Sequence, residues 1–390
     1  MSIIRLSTIG TEMYAPKGDG TLVDGPFQAS KNVGALGNFS RPPENATAQD
    51  KHLKSAALDR FFNTALSNSA TKLNGNSPVV VMVHGFLFTP KETPVRNRED
   101  SNNPHCRVFH FEDLGKDAEI RHHHTGWPLK LGFAEDDNGG DGLAVAFGWY
   151  SQPGFAASLM ERFQNFYARA YDYAQDTAWP LVVTLKSLAD RLDDSRQIDI
   201  FCHSLGSSVV VRALALAAKY GPEDLLSRLG RVVILGGSEY TGEANIMYSR
   251  VMTLASSGGW TADMGPTFYN IVSRENDVLD KLAENFGPKS FFSDSQVIGH
   301  NGLQARKNAD RWIDIQIDAG KVRQWGRSRS YDIVGDEPGT IWDHWYYYTW
   351  PGNMHFYSDL LRNRAATSLT KLRTGKDPLP EGVGVGPFGD

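Results

Sequence analysis

The distribution of apolar residues predicts a series of strands buried inside the protein. Three runs are almost wholly apolar and lack the polar alternation of a half-exposed strand: 79–83, 143–149 and 231–235. Such runs are typical of strands that are covered on both faces, as in the centre of a parallel sheet. A further strand is predicted at 268–273, whereas 312–318 alternates between apolar and polar residues and is expected near a sheet edge.

Segments with helical spacing of apolar residues separate these strands. Amphipathic helices are predicted at 53–67 and 206–220, and Gly221-Pro222 is a typical stop for the second. A long helical stretch at 156–192 is expected to break near Trp179-Pro180. Strands that alternate with helices favour an α/β fold, with a mostly parallel central sheet and helices on both faces.

The whole chain, 1–390, is interpreted as a single domain. We expect a core of about 55–372, preceded by an N-terminal extension at 1–50. The polar stretch 91–142 is much longer than an ordinary loop of about 4–6 residues, so it is interpreted as an insertion beside the active site. The segment 243–265 is interpreted as a candidate cap that lines a pocket.

The chain passes from a strand to a helix without a spacer at Ser204. A serine hydroxyl reacts as a nucleophile only when it is lifted clear of its neighbours, next to a base and to donors for an oxyanion. A strand-turn-helix elbow provides this position, and it requires small residues two before and two after the serine. Cys202 and Gly206 occupy these positions, so the usual Gly-x-Ser-x-Gly is present as Cys-x-Ser-x-Gly. An ordinary packing contact, with Ser204 as a helix cap, is the alternative.

A second turn, His84-Gly85, follows the apolar run 79–83. Glycine at a strand end lets the backbone turn so that the N–H of Phe86 or Leu87 points into the site. Together with the N–H of Leu205, directly after the serine, this predicts an oxyanion hole with two backbone donors. The alternative is that His84-Gly85 is a turn without a catalytic role.

With these motifs the chain resembles the α/β-hydrolase fold and, more loosely, a branch of serine esterase-like and lipase-like hydrolases of unassigned role. The resemblance covers about 55–372 and rests on four motifs: Val-His-Gly-Phe (83–86), Cys-His-Ser-Leu-Gly (202–206), Asn-Asp-Val-Leu (276–279) and Asp-His-Trp (343–345). In that fold the catalytic triad follows the chain order serine, acid, histidine. The resemblance implies Ser204 as the nucleophile, Asp277 as the acid and His344 as the base.

Other residues compete for the roles of acid and base. Glu275 and Glu239 are alternative acids, because one lies two residues before Asp277 and the other follows the strand at 231–235. His355, two residues past the expected helix cap Asn353, is the alternative base, with His300 a more distant one. His203, beside the nucleophile, is expected to pack rather than to react.

The function expected from this resemblance is hydrolysis of a small-molecule carboxylic ester through an acyl-enzyme on Ser204. An acyltransferase or thioesterase would use the same triad, and a catalytically inactive hydrolase fold that only binds a ligand is the alternative outside enzymes. A dehalogenase would have an acidic residue at the elbow, where this chain has Ser204. No cofactor is expected for ester hydrolysis by a triad.

Two stretches, one rich in histidine and one acidic, are candidate metal sites, but neither is expected to bind a metal ion. Three adjacent histidines, His122-His123-His124, cannot easily share one tetrahedral centre, so a solvated loop is expected. The segment 136–142 resembles the start of a calcium loop, but the twelfth residue counted from Asp137 is Gly148 rather than an acidic ligand. A turn is therefore expected at 136–142.

Composition narrows the classes of function. The 390 residues are 41% hydrophobic, which is ample for a large core, and a net charge of −5 with scattered Lys and Arg makes nucleic acid an unexpected partner. The 2 cysteines do not suggest a disulfide framework. No apolar run reaches the length of a signal peptide core or of a membrane span, so a cytoplasmic protein is expected, with secretion after removal of a leader left open.

Overall fold

The structure is a computed structural model, and it describes residues 3–15, 34–43, 53, 55–67, 73, 77–90, 102–135, 141–152, 159–222, 224–261, 263–274, 296–303, 310–335 and 343–380. Within these ranges the strands are β1 (Ile3–Ile9), β2 (Glu12–Ala15), β3 (Gly34–Asn38), β4 (Val79–Val83), β5 (Leu143–Trp149), β6 (Ile198–His203), β7 (Leu229–Leu235), β8 (Thr267–Val272) and β9 (Trp312–Gln316). The helices are α1 (Ala56–Ser67), α2 (Pro104–Arg107), α3 (Lys116–His122), α4 (Trp127–Lys130), α5 (Leu159–Ala189), α6 (Gly206–Tyr220), α7 (Thr241–Ser257), α8 (Ile298–Asn301), α9 (Gly320–Arg327), α10 (Tyr346–Thr349), α11 (Pro351–Arg362) and α12 (Leu369–Thr374).

These strands form one sheet in the order β3-β2-β1-β5-β4-β6-β7-β8-β9. From β1 to β9 every neighbouring pair is parallel, and only β2 and β3 join antiparallel at one edge. The prediction of an α/β protein with a mostly parallel sheet is therefore confirmed. The alternating strand at 312–316 lies at the opposite edge, as its pattern predicts.

Both faces of the sheet are covered, which explains the unbroken apolar runs. In β4, Val79, Val81 and Val83 pack with α1, α5, α6 and α7 on one face. Val80 and Met82 point to the other face, where they pack with residues of α4 and of α9 to α12. Alternate side chains of a strand point to opposite faces of the sheet. Because both faces are covered here, both sets of side chains are buried and apolar, so the sequence of the strand does not alternate.

Helix α5 runs without a break through Pro180, contrary to the break predicted there. A proline in a helix interior costs about 3 kcal/mol, because it removes one hydrogen bond and crowds the preceding turn. Around Pro180, however, Trp179, Leu181 and Val182 are fully buried against the sheet. Burying these side chains offsets the local cost, so tertiary packing keeps the helix continuous.

The first strands extend the sheet beyond the core bounds that the sequence suggests. β1 pairs with β5 along most of its length, from Ile3 opposite Ala144 to Thr8 opposite Trp149. β2 and β3 continue the sheet outward from it. The described part of the N-terminal segment is thus an integral edge of the sheet rather than a covering of it.

The structure describes parts of two other segments that the sequence singles out. The candidate cap is largely α7, which crosses from β7 to β8 and packs on α6, with Met247, Tyr248 and Val251 buried in the core. The described part of the polar stretch at 91–142 contains α2, α3 and α4, and its Trp127 is fully buried against Phe201. Both segments therefore contribute to the packing around the sheet.

Candidate functional site

Ser204 lies at the carboxyl end of β6 with a backbone φ of +52°. A side chain in this left-handed region is crowded against its own backbone, so a serine stays there only when its surroundings hold it. Its N–H donates to the carbonyl of Leu235 at 2.9 Å, and its carbonyl accepts from Ser207 (2.9 Å) and Ser238 (3.2 Å). A strained turn from strand to helix is thus formed at the predicted residue.

The turn is tight because two glycines let the backbones approach. A methyl group at Gly206 would lie 2.4 Å from the carbonyl oxygen of His84, so only glycine fits where α6 begins. A methyl group at Gly85 would lie 2.8 Å from Cβ of Ser204 and 3.1 Å from Nδ1 of His203. The turn after β4 and the turn after β6 are therefore in direct contact, at the same edge of the sheet.

His84 shapes the first of these turns and is not available as a base. Its Nε2 accepts from the N–H of Trp149 at 2.9 Å, so the proton is on Nδ1, which donates to the carbonyl of Gly85 at 3.0 Å. Burial lowers the pKa of His84 to about 3. The neutral ring therefore links the end of β4 to the end of β5 through hydrogen bonds.

The predicted oxyanion donors lie on the turn after β4 and directly before α6. The hydroxyl of Ser151 donates to the carbonyl of Gly85 at 2.8 Å and accepts from the N–H of Phe88 at 3.0 Å. Leu87 has a φ of +69°, which reverses the chain direction before Phe88. Within the described part of the chain, the N–H groups of Phe86, Leu87 and Leu205 donate to no other residue. They remain available to an oxyanion.

The hydroxyl of Ser204 makes its hydrogen bond with the hydroxyl of Ser238, at 3.2 Å. Ser238 follows β7 at the same sheet edge, and it also lies beside the hydroxyl of the buried Tyr167. Ser204 itself is only 5% exposed. Sequence reasoning missed Ser238, although a polar residue directly after a buried strand and two glycines is a signal that could have identified it.

The structure places His344 next to the elbow, in a short 3-10 helix at Asp343–Trp345. Its ring centroid lies 4.5 Å from that of His203, and its carbonyl oxygen is 3.2 Å from Nε2 of His203. Burial lowers the pKa of His344 to about 3, and burial followed by the proximity of His344 lowers that of His203. Both rings are neutral at physiological pH. His203, the residue before Ser204, is thus in direct contact with the predicted base.

Among the candidate acids, only Glu239 lies in the described residues; Asp277 and Glu275 lie outside them. Glu239 is fully buried and forms an ion pair with Arg212 at 3.1 Å. It also accepts from the hydroxyl of Tyr171 at 2.5 Å and from the N–H of Tyr240 at 2.9 Å. Burial raises the pKa of Glu239, and Arg212 opposes the rise. With these partners, Glu239 links α5, α6 and the end of β7.

The alternative bases lie elsewhere. His355 is exposed on α11, with its ring edge-on to Tyr331. Asn353 is not a helix cap, because α11 begins at Pro351 and the Asn353 amide is buried in hydrogen bonds to Val334. His300 is half-buried on α8, with Nε2 at 2.9 Å from the carbonyl of Arg274.

The three adjacent histidines are not a solvated loop. His124 is 2% exposed, and His123 stacks on Trp345 with a centroid distance of 4.1 Å. Burial lowers the pKa of His123 to about 4. The segment therefore packs against the short helix that carries His344, because aromatic and imidazole faces gain more from stacking there than from exposure.

Three further observations concern ligands and surroundings. Among the described residues, no three His, Cys, Asp or Glu side chains converge as metal ligands would. Cys106 and Cys202 do not form a disulfide with each other. No helix in the described ranges is both long enough and apolar enough to cross a membrane.

Comparison of the chain with protein-family models, with curated proteins and with solved structures finds no match.

Proposed function

We propose that this chain is a serine hydrolase of the α/β-hydrolase type that cleaves small carboxylic esters through an acyl-enzyme. The observation that carries the proposal is the left-handed backbone of Ser204 between β6 and α6, in contact with the glycine turn after β4. Strain of this kind persists where the surrounding structure holds it, and it is concentrated at active sites.

Each residue has a distinct role in the proposed reaction. The Oγ of Ser204 attacks the ester carbonyl carbon, and the imidazole of His344 takes the hydroxyl proton and passes it to the leaving alcohol. Asp277 is the proposed acid that orients the imidazole. The N–H groups of Leu205 and of Phe86 or Leu87 stabilise the negative charge on the carbonyl oxygen. Water then hydrolyses the acyl-enzyme by the reverse sequence of proton transfers.

The proposal includes one rearrangement. Since the hydroxyl of Ser204 is hydrogen-bonded to Ser238, it has to exchange this contact for an imidazole nitrogen before it can react. The nearest structural link to His344 is His203, the residue before Ser204, whose ring centroid lies 4.5 Å from that of His344. A fold that binds a ligand without turnover is the alternative that the Ser204–Ser238 contact favours.

Hydrolysis of p-nitrophenyl esters of increasing acyl length, with Ser204→Ala, tests the proposal. Ser208 provides a matched control, because it is a buried serine on α6, just after the turn, and its hydroxyl has no partner among the described residues. We expect Ser204→Ala to lower the turnover rate by at least about a thousandfold and Ser208→Ala to retain it. Adding an acceptor alcohol or thiol then separates hydrolysis from acyl transfer. Full activity of folded Ser204→Ala, or no turnover of any ester by the folded parent protein, would refute the proposal.

A further inference from the structure

A cavity of about 400 Å³ lies at the amino ends of the parallel strands. Gln197 precedes β6, Arg231 lies near the start of β7, Thr267 begins β8 and Arg311 precedes β9. The volume is that of a small-molecule pocket. Since Ser204 lies at the carboxyl end of β6, this cavity is separate from the proposed active site.

Three arginines line the cavity, and their donors are only partly used. Arg231 is 5% exposed and donates to the carbonyls of Leu360 and Arg364 and to the hydroxyl of Thr367. The guanidinium of Arg311 makes two hydrogen bonds, both to carbonyls, at 2.7 and 2.9 Å. The guanidinium of Arg364 also makes two, to Gln197 and to Asp199. Because a guanidinium group has five N–H donors, each of these arginines retains N–H groups for a ligand.

Of the carboxylates near the cavity, one pairs with a lining arginine. Asp199 is fully buried, does not line the cavity and forms an ion pair with Arg364. Asp263 and Asp310 line it, but both are exposed at its rim. Neither forms an ion pair with Arg231, Arg311 or Arg364. Among the described residues, Arg364 is therefore paired with a carboxylate, whereas Arg231 and Arg311 form no ion pair.

Hydroxyl groups add further donors. Ser368 and Thr370 line the wall opposite the strands, and Thr267 lies at the start of β8. Guanidinium forks combined with hydroxyls match the geometry of carboxylate and phosphate oxygens. We propose that this cavity binds a small organic oxyanion, recognised through a carboxylate or phosphate group held by Arg231, Arg311 and Arg364.

Thermal unfolding of the full chain with added anions tests this site. A ligand that binds only the native state raises Tm in a saturable way. The probes are sodium phosphate and sodium malonate, with sodium chloride at matched ionic strength. We expect phosphate or malonate to raise Tm well beyond chloride. A tighter apparent affinity for phosphate indicates a phosphate ligand, and a tighter one for malonate indicates a carboxylate ligand.

Two variants locate the effect. Thr370→Glu adds a negative charge to the lining, and Thr374→Glu adds the same charge to an exposed position on the same helix, α12, outside the lining. We expect Thr370→Glu to weaken the apparent affinity for the anion at least about tenfold and Thr374→Glu to leave it within about twofold. Arg311→Gln should weaken it similarly, because it removes one charged fork. Equal responses of Thr370→Glu and Thr374→Glu, or no Tm rise beyond chloride, would overturn the proposal.

Discussion

The Nε2–H of His203 donates to the main-chain carbonyl oxygen of His344 across 3.2 Å. A carbonyl oxygen only accepts, so the proton of the neutral His203 ring is on Nε2, and Nδ1 carries the lone pair. Nδ1 lies 3.1 Å from the place that a methyl group on Gly85 would occupy. His203 therefore contacts both the turn after β4 and the segment that carries the candidate base, and it directly precedes Ser204. Because the contact uses the backbone of His344, it does not require the imidazole of that residue.

The pH dependence of stability should include one proton from His344. Its pKa is lowered to about 3 by burial, whereas the unfolded chain titrates near 6.5. Between these values the unfolded state binds more protons, so the free energy of unfolding falls as pH falls below 6.5, by at most about 1.4 kcal/mol per pH unit.

His344→Gln isolates this contribution, because the backbone contact with His203 remains and all other titrating groups are shared. Chemical unfolding of both proteins at pH 7, 6 and 5 should show the parent protein losing stability faster than the variant. Parallel pH profiles would contradict a buried neutral His344.

Gly206→Ala should destabilise the protein through a backbone clash. The added methyl group would lie 2.4 Å from the carbonyl oxygen of His84 and 2.7 Å from that of Val83. Neither oxygen can move without breaking the turn after β4, so we expect a loss of about 3 kcal/mol in chemical unfolding. Gly242, in the first turn of α7, is the control, since nothing lies within 4 Å of its added methyl group. Gly242→Ala should be neutral or stabilise the helix by up to about 1 kcal/mol. Equal effects of the two changes would refute this account of the turn.

Glu239→Gln should cost stability because it leaves Arg212 without its carboxylate. The Glu239 side chain is fully buried and that of Arg212 is 20% exposed. Removing one partner of a buried ion pair costs about 3–5 kcal/mol, and the retained hydrogen-bonding amide places the expected loss near the lower value. The control is Asp190→Asn, which breaks the partly exposed pair with Lys186 on α5 and should cost less than about 1 kcal/mol. A Glu239→Gln protein as stable as the parent would show that this network is not structural.

Ser238→Ala should increase the reactivity of Ser204. The hydrogen bond between the two hydroxyls stabilises the resting protein, and in the proposed reaction it has to break before Ser204 can attack. A net hydrogen bond of about 0.5–1.5 kcal/mol corresponds to a twofold to tenfold faster reaction with a small fluorophosphonate. Ser208→Ala should leave this rate unchanged. A slower reaction of Ser238→Ala would instead place Ser238 among the groups that stabilise the transition state.

The sequence predicted the elements that are defined by local rules. The buried strands β4, β5 and β7 have an unambiguous apolar pattern, and the turn at Ser204 requires a small residue at Gly206 for steric reasons that a five-residue motif contains. The end of α6 at Tyr220 likewise follows from Gly221-Pro222. These features depend on neighbours in the chain.

Features that depend on distant residues could not be predicted in the same way. The continuity of α5 through Pro180 results from burial against the sheet, which no local pattern reports. The stacking of His123 on Trp345 and the contact of Ser204 with Ser238 join residues that are far apart in the sequence. The pairing of β1 with β5 is equally non-local, because the two strands are far apart in the sequence.

Mapping the adduct of a fluorophosphonate on the folded protein by peptide mass spectrometry tests the central claim most directly. Under native conditions we expect one stoichiometric adduct on Ser204. This adduct should disappear in Ser204→Ala and be retained in Ser208→Ala. An adduct that survives Ser204→Ala, or a folded parent protein that forms none, would contradict the claim that Ser204 is the nucleophile.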